Sequence, residues 1–271
     1  MADIPRLVAT DLDGTIVRSD GTISDRMVAA LARVESAGSD VVFVTGRPPR
    51  WMHSVAAATG HHGLAICGNG AVIYDLHRER VLESWLIETE VLHDVVRRLR
   101  AELPELSFAV EREEGFVREE AYRHREPVDV VSAEILAAQP VAKLLAQHAD
   151  LDPDTLLAKA REVVGASVEL THSSRSGLLE ISAVGVSKAS TLAILCEERG
   201  IRAEQVVAFG DMPNDLPMLA WAGTAYAVAS AHPEVLAAVD GYAAGNDEDG
   251  VARVLERLFP ETPGSPEPPT C

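Results

Sequence analysis

The chain has 271 residues, of which 47% are apolar, 24% charged and 4% aromatic. At about 150 residues per domain this holds one or two domains with a real core, which excludes a short disulfide-stapled peptide, and the composition excludes a disordered chain. Acidic side chains number 42 against 24 basic ones, a formal charge of -18. Such a surface repels phosphate backbones and anionic lipid, so neither nucleic acid nor membrane is an expected partner. An anionic ligand would need positive charge supplied locally, and a divalent cation is the simplest source. Cys67, Cys196 and Cys271 are an odd number without metal-ligand spacing and read as two buried small hydrophobes and a tail thiol in a reducing compartment. No basic run leads into an apolar stretch at the N-terminus and no segment reaches about 18 uninterrupted apolar residues, so the expected location is the cytoplasm.

The apolar run 6–10 stops abruptly at Asp11-Leu12-Asp13-Gly14-Thr15, the pattern of a buried strand ending in a polar loop. A helix is predicted from Ser24-Asp25 to about 37, closed by Gly38, and a second strand over 40–44 ends at Thr45-Gly46-Arg47. Residues 48–59 read as a helix closed by Gly60, 64–67 as a third strand and Gly68-Asn69-Gly70 as its turn, followed by strands at 71–74 and 81–87. The rhythm then changes. The stretch 88–182 gives a helix at 90–103, strands at 107–111 and 142–147, a helix at 153–164 and strands at 167–171 and 178–183, a separate α+β unit. The first rhythm returns with a helix at 187–199 closed by Gly200, and a strand at 205–209 stopping at Gly210-Asp211-Met212-Pro213-Asn214-Asp215. A helix at 215–221, a strand at 225–228 and helices at 233–239 and 248–259 complete it, and the proline-rich 261–271 reads as a disordered tail.

Strands alternating with helices predict an α/β fold, a doubly wound, mostly parallel Rossmann-like sheet whose ligands gather at the carboxyl ends of the strands. The expected division is a core of 1–83 and 184–260 with an inserted α+β cap of 84–183. Asp11, Asp13, Thr45 and Asp211 all fall at strand ends. Two carboxylates two residues apart after a buried strand cannot both point into the sheet without a large desolvation cost. With Asp211 and Asp215 at the same edge, the all-oxygen donor set suits Mg²⁺. The chain has only three lysines, Lys143, Lys159 and Lys188. Lys188, at a helix start just after Gly185-Val186-Ser187, can reach back to neutralise a carboxylate or a phosphoryl oxygen, and Thr45 with the Gly46 amide offers further donors.

In order and placement, Asp11-Leu12-Asp13-Gly14-Thr15, Thr45-Gly46-Arg47, Lys188 and Gly210-Asp211 to Asn214-Asp215 resemble the four motifs of haloacid-dehalogenase-superfamily phosphatases. The inserted unit between the second and third motifs, with Cys67-Gly68-Asn69-Gly70-Ala71, resembles the Cof-type branch, which hydrolyses sugar phosphates and other small phosphomonoesters. The resemblance implies that Asp11 is the nucleophile, forming an aspartyl-phosphate, and that Asp13 protonates the leaving alkoxide and then activates water. It implies a Mg²⁺ site built from Asp11, Asp13 through its backbone carbonyl, Asp211 and Asp215, the last also able to orient Lys188. Thr45, Gly46, Lys188 and Asn214 would hold the phosphoryl group, with Arg47 and Asn69 beside them. Met212-Pro213 replaces the small polar pair usual in the last motif, and Ala189 stands where a glycine is common.

Other roles stay open from the sequence. Thr45-Gly46-Arg47 also suits a helix start, and Asn69 between two glycines suits a left-handed turn. His61, His62, His124, His148 and His172 lack paired metal spacing and read as solvated or capping groups. The mixed-charge stretch 111–126 reads as a solvated face, although a lid over a charged ligand could use Arg118, Arg123 or Arg125. The alternatives to a phosphatase acting on a small phosphorylated metabolite are a phosphosugar mutase and a phosphate-accepting regulatory or binding protein. A receiver-like signalling domain places its acids before its Thr and Lys, whereas Asp211 and Asp215 follow Lys188. No feature of the sequence fixes an oligomeric state.

Overall fold

In the computed structural model, which describes residues 4–112, 115–124, 127–173, 176–239 and 241–260, the first apolar run forms a strand buried along its whole length. In chain order the elements are β1 (Leu7–Thr10), α1 (Asp25–Ser36), β2 (Asp40–Val44), α2 (Met52–Thr59), β3 (Leu64–Cys67), β4 (Val72–Asp75), β5 (Arg80–Ser84) and α3 (Thr89–Glu102). Next come β6 (Ser107–Arg112), β7 (Gly115–Arg118), β8 (Asp129–Val130), α4 (Ala133–Leu136), β9 (Lys143–Gln147), α5 (Pro153–Val164), β10 (Val168–Thr171) and β11 (Leu178–Ala183). The chain closes with α6 (Lys188–Glu198), β12 (Val206–Gly210), α7 (Leu216–Trp221), β13 (Thr224–Val228), α8 (Pro233–Ala238), β14 (Gly241–Ala243) and α9 (Gly250–Leu258).

Two sheets result. The first has the order β14-β13-β12-β1-β2-β3-β4-β5. Its strands from β14 to β3 are parallel, and β4 and β5 return antiparallel as a hairpin. Continuous apolar strands such as Leu7–Thr10 and Val206–Gly210 are what a parallel sheet covered on both faces requires, because neither face meets water. The strand order reverses at β1, with β2 on one side and β12 on the other, and a crevice opens at such a point beyond the carboxyl ends. Asp11 is the first residue past β1, Thr45 the first past β2 and Asp211 the first past β12.

The second sheet, β10-β11-β9-β6-β7-β8, has period-2 alternation. Phe108, Val110, Leu144, Ala146, Leu179 and Ile181 face one way and join the apolar residues of α3 and α5 in one core. The intervening positions Glu111, Lys143, Leu145, Leu178 and Glu180 face the other way and line a cavity over β1.

Three strands were not expected from the sequence: β7, β8 and β14. Each is short and lies toward a sheet edge, and Gly115–Arg118 mixes charge with one aromatic, so no alternation stands out. The expected strand 81–87 stops at Ser84, where the chain turns into the second unit. The stretch 111–126 is not simply a solvated face, since Glu111 and Tyr122 are buried in it. Cys67 and Cys196 are free and buried. Cys271, Arg125 and the expected disordered tail 261–271 lie outside the described residues. Among the described residues no helix is long and apolar enough to cross a membrane.

The loop after β3 is locked against the start of α6. Gly70 has φ +108, and a Cβ there would sit 2.3 Å from the Ser187 carbonyl oxygen. The Thr191 hydroxyl donates to the Gly70 carbonyl at 2.7 Å, so the contact fixes the helix that begins with Lys188. Gly70→Ala is expected to cost about 2–4 kcal/mol, read by chemical denaturation. A loss below about 0.5 kcal/mol would show that the loop is not braced in this way.

Candidate functional site

The reversal at β1 brings three loops and one helix start together. Asp11 follows the last β1 residue and is tied to the neighbouring strand by its own N–H, which donates to Phe209 O at 3.0 Å. Beyond it the chain turns tightly, with the Thr15, Ile16 and Val17 amides all donating to the Leu12 carbonyl. Gly14 at φ +79 lets this turn lie against Asp211, where a Cβ would come within 2.4 Å of Oδ2. The Thr15 hydroxyl donates to Asp211 Oδ1 at 3.1 Å.

Lys188 sits beneath these acids. Its side chain is 1% exposed, and Nζ donates to Asp11 Oδ1 and to Asp215 Oδ1, both at 2.7 Å. The α6 start is held by a capping box in which the Ser187 hydroxyl accepts from the Ser190 N–H, so the lysine leaves the helix in a fixed direction. Asp215 Oδ2 accepts from the backbone amides of Asp211 and Met212, each at 3.0 Å. Both oxygens of Asp215 are therefore engaged, which suits the orienting role foreseen for it better than direct metal ligation.

Asp11, Asp211 and Asp215 each present a carboxylate oxygen within 4.8 Å of the others, all buried. Burial, and then the charges of its acidic neighbours against that of Lys188, pushes the Asp11 carboxyl well above its usual range. Burial, followed by Asp215, pushes Asp211 from 3.8 up to about 7. Burial works against the Lys188 ammonium, but Asp11 and Asp215 outweigh it and hold its pKa above the ordinary value. One cation thus faces three buried acids, and the all-oxygen donor set with its surplus negative charge fits a hard divalent cation.

Asp13 points outward, its side chain 60% exposed, and is gripped by Arg47 through Nε at 2.7 Å and Nη2 at 2.6 Å. Its carboxylate is not part of the acidic cluster, so only its backbone carbonyl is left for a metal. Thr45 is 1% exposed, and its hydroxyl accepts from the Arg47 N–H at 3.0 Å. Asn69 adopts the left-handed conformation expected between glycines, with φ 60, and also reaches the site. Its Oδ1 accepts from Asn214 Nδ2 at 3.0 Å, while its own Nδ2 is buried with no close hydrogen-bond partner among the described residues. Asp11, Asp13, Gly46, Arg47 and Asn214 line a common cavity of about 250 Å³.

The second sheet supplies residues that sequence reasoning left unassigned. Lys143 Nζ donates to Gly46 O at 2.6 Å and to Glu180 Oε1 at 2.7 Å. Burial alone would raise Glu180, but Lys143, assisted by the Ser173 hydroxyl, holds its carboxyl below the usual range. Glu111 pairs with Arg50 across the same gap. The scarcity of lysine was the available signal, since Lys143 and Lys188 are both buried and Lys159 is not. Arg118, a candidate lid residue, instead donates to the carbonyls of Glu119, Glu120 and Tyr122 and braces its own loop. His148 accepts from two backbone amides as a cap, whereas His172 is buried against Asp154 and is not solvated.

The family model for haloacid dehalogenase-like hydrolases matches residues 8–255. The chain is 27% identical to 5-amino-6-(5-phospho-D-ribitylamino)uracil phosphatase YcsE of Bacillus subtilis, over 92% of this chain and 94% of that one. It is 30% identical to a phosphoglycolate phosphatase of Methanothermobacter thermautotrophicus, over 94% of this chain and 99% of the other. The crystal structure of SMU.1108c from Streptococcus mutans shares the fold with a TM-score of 0.85 at 21% identity, covering 95% of this chain and 100% of that one.

A carboxyl whose folded-state pKa is raised retains its proton to higher pH in the folded than in the unfolded state, so its contribution to stability is lost as pH rises through that window. For Asp211 the window runs from 3.8 to about 7 in the metal-free protein. A divalent cation held by these acids would take the place of the proton. The rise in Tm on adding it is therefore expected to be larger at about pH 8 than at about pH 5, measured by calorimetry with and without the ion. An equal or smaller rise at the higher pH would contradict a cation site at these acids.

Proposed function

Because the chain belongs to the haloacid dehalogenase-like hydrolases, we propose that it is a Mg²⁺-dependent phosphatase that hydrolyses small phosphomonoesters through an aspartyl-phosphate on Asp11. The supporting observation is the convergence of Asp11, Lys188, Asp215 and Asp211 at one strand-order reversal. Residues 1–83 and 184–260 form the proposed catalytic core, and 84–183 the cap over the leaving group.

Asp11, Asp211 and the Asp13 carbonyl would hold Mg²⁺, with Asp215 behind them. The ion supplies charge neutralisation between an anionic nucleophile and an anionic ester. Lys188 fixes Asp11 Oδ1, which leaves Oδ2 to attack phosphorus. As the bond from Asp11 to phosphorus forms, the ester P–O bond breaks, and Asp13 delivers a proton to the departing alkoxide. Asp13 then takes a proton from the water that cleaves the acyl phosphate, releasing phosphate and restoring Asp11. To carry the proton, Asp13 has to let go of Arg47, and phosphoryl oxygens are the natural alternative partner for that guanidinium. Asn69 Nδ2, which has no close partner among the described residues, and the Gly46 amide add donors for the same oxygens. Thr45 contributes from beneath, by holding the Arg47 backbone.

Phosphate release from an aryl phosphate with added Mg²⁺ tests this reading. Asp11→Asn is expected to lower kcat by about a thousandfold or more. Full activity in Asp11→Asn would remove the nucleophile assignment. Asp13→Asn is expected to cost about 10²–10⁴-fold on an alkyl phosphate and clearly less on an aryl phosphate, whose leaving group needs no proton. Equal losses on the two esters, compared as kcat, would argue against Asp13 as the acid.

A further inference from the structure

The cavity over Asp11 has two unlike walls. One is the charged strand-end edge of the core; the other is the inner face of the second sheet. On that face Phe116, Tyr122, Leu145 and Leu178 form an apolar cluster with Ala109. The rings of Phe116 and His124 lie 4.6 Å apart and tilted by 33°, with Tyr122 edge-on to Phe116 at 6.0 Å. Deeper in, the same face turns polar with Glu111, Lys143 and Glu180, all under 9% exposed. The two cations there are already committed, Lys143 to Glu180 and the Gly46 carbonyl, and Arg50 to Glu111.

From this arrangement, and resting on the phosphatase reading above, we infer that the alcohol half of the substrate is a planar, hydrogen-bonding ring without a second anionic group. An aromatic and aliphatic surface gains from covering a flat ring, whereas the hydroxyls of a sugar laid on it would reach polar partners only deeper in, where Glu111 and Glu180 are already engaged. A second phosphate or a carboxylate would meet buried Glu111 and Glu180 with no uncommitted Lys or Arg among the described lining residues to answer it. The polar edge of a ring would meet Tyr122, whose side chain lines the cavity and packs in the same cluster. Phe116 is thus a specificity-determining residue. It lies on the wall facing Asp11 and takes no part in the bond changes.

The test compares kcat/KM for four esters with the same Mg²⁺: pyridoxal 5′-phosphate, ribose 5-phosphate, phosphoglycolate and glycerol phosphate. The ring ester is expected to lead the other three by about tenfold or more. Phe116→Ala is expected to lower the ring ester by about tenfold, chiefly through KM, while glycerol phosphate stays within about twofold, and Phe116→Tyr restores the difference. Preference for ribose 5-phosphate or phosphoglycolate in the unaltered protein overturns the inference, whatever the variants do. So does an equal loss on both esters in Phe116→Ala with an unchanged melting temperature. Release of phosphate without ring preference sinks the ring alone, whereas release from none of the four esters and none from the aryl phosphate removes the phosphatase reading along with it.

Discussion

The arrangement at the strand ends depends on one buried ammonium. Lys188 is almost fully withdrawn from water between Asp11 and Asp215, a position that costs several kcal/mol of desolvation for each ion and holds because the pairings are short and the second oxygen of Asp215 is bonded. The backbone amides of Asp211 and Met212 complete Asp215, and Lys188 engages Oδ1 of Asp11. Removing the lysine would leave two carboxylates uncompensated in a dry site that already contains Asp211. Placing an amine elsewhere on α6 would not reproduce this, because the capping box and the Gly70 contact set where the helix begins.

A second buried lysine plays the corresponding part between the two sheets. Lys143 belongs to the second sheet but donates to the Gly46 carbonyl, in the loop that carries Arg47. Glu111 on a neighbouring strand meets Arg50 from the same side of the core. These contacts tie the cavity roof to the very loop whose arginine grips Asp13. A shift of the second sheet would therefore be felt at Asp13 through two residues, Gly46 and Arg47. That is a short mechanical path for coupling occupation of the roof to the state of the outward-facing acid, carried by packed and bonded groups.

Much of the core was legible because each strand end carries an abrupt change from apolar to acidic or glycine-rich sequence, as at Thr10 to Asp11 and Gly210 to Asp211. Period-2 alternation in 107–111, 142–147 and 178–183 likewise exposed the second sheet. What alternation could not reveal is the purpose of its inner face. Glu111, Lys143 and Glu180 look like ordinary solvent-facing positions until the fold sets them against the core. Phe116 and Tyr122 were hidden for a related reason: they sit in a charge-rich stretch whose local sequence argues for exposure, and tertiary packing overrides it. Asp13 and Asp11 are indistinguishable by residue type and neighbourhood. Only the turn around Gly14 separates the inward, Lys188-bound carboxylate from the outward, Arg47-bound one.

Charge at the site also explains how a strongly acidic protein can receive an anion. Around the cavity stand Asp11, Asp13, Glu111, Glu180, Asp211 and Asp215 against Arg47, Arg50, Lys143 and Lys188. Formally the acids exceed the bases by two, which is the charge a single divalent cation cancels. Without it an approaching phosphate meets both the general surface field and a local surplus of the same sign. With the surplus removed, Arg47 becomes the cation nearest the mouth with an exposed partner, and so the one most easily drawn from its carboxylate to an incoming phosphoryl group. The charges deeper in the roof stay paired with each other, which leaves the aromatic and aliphatic part of that wall to meet whatever the phosphate is attached to.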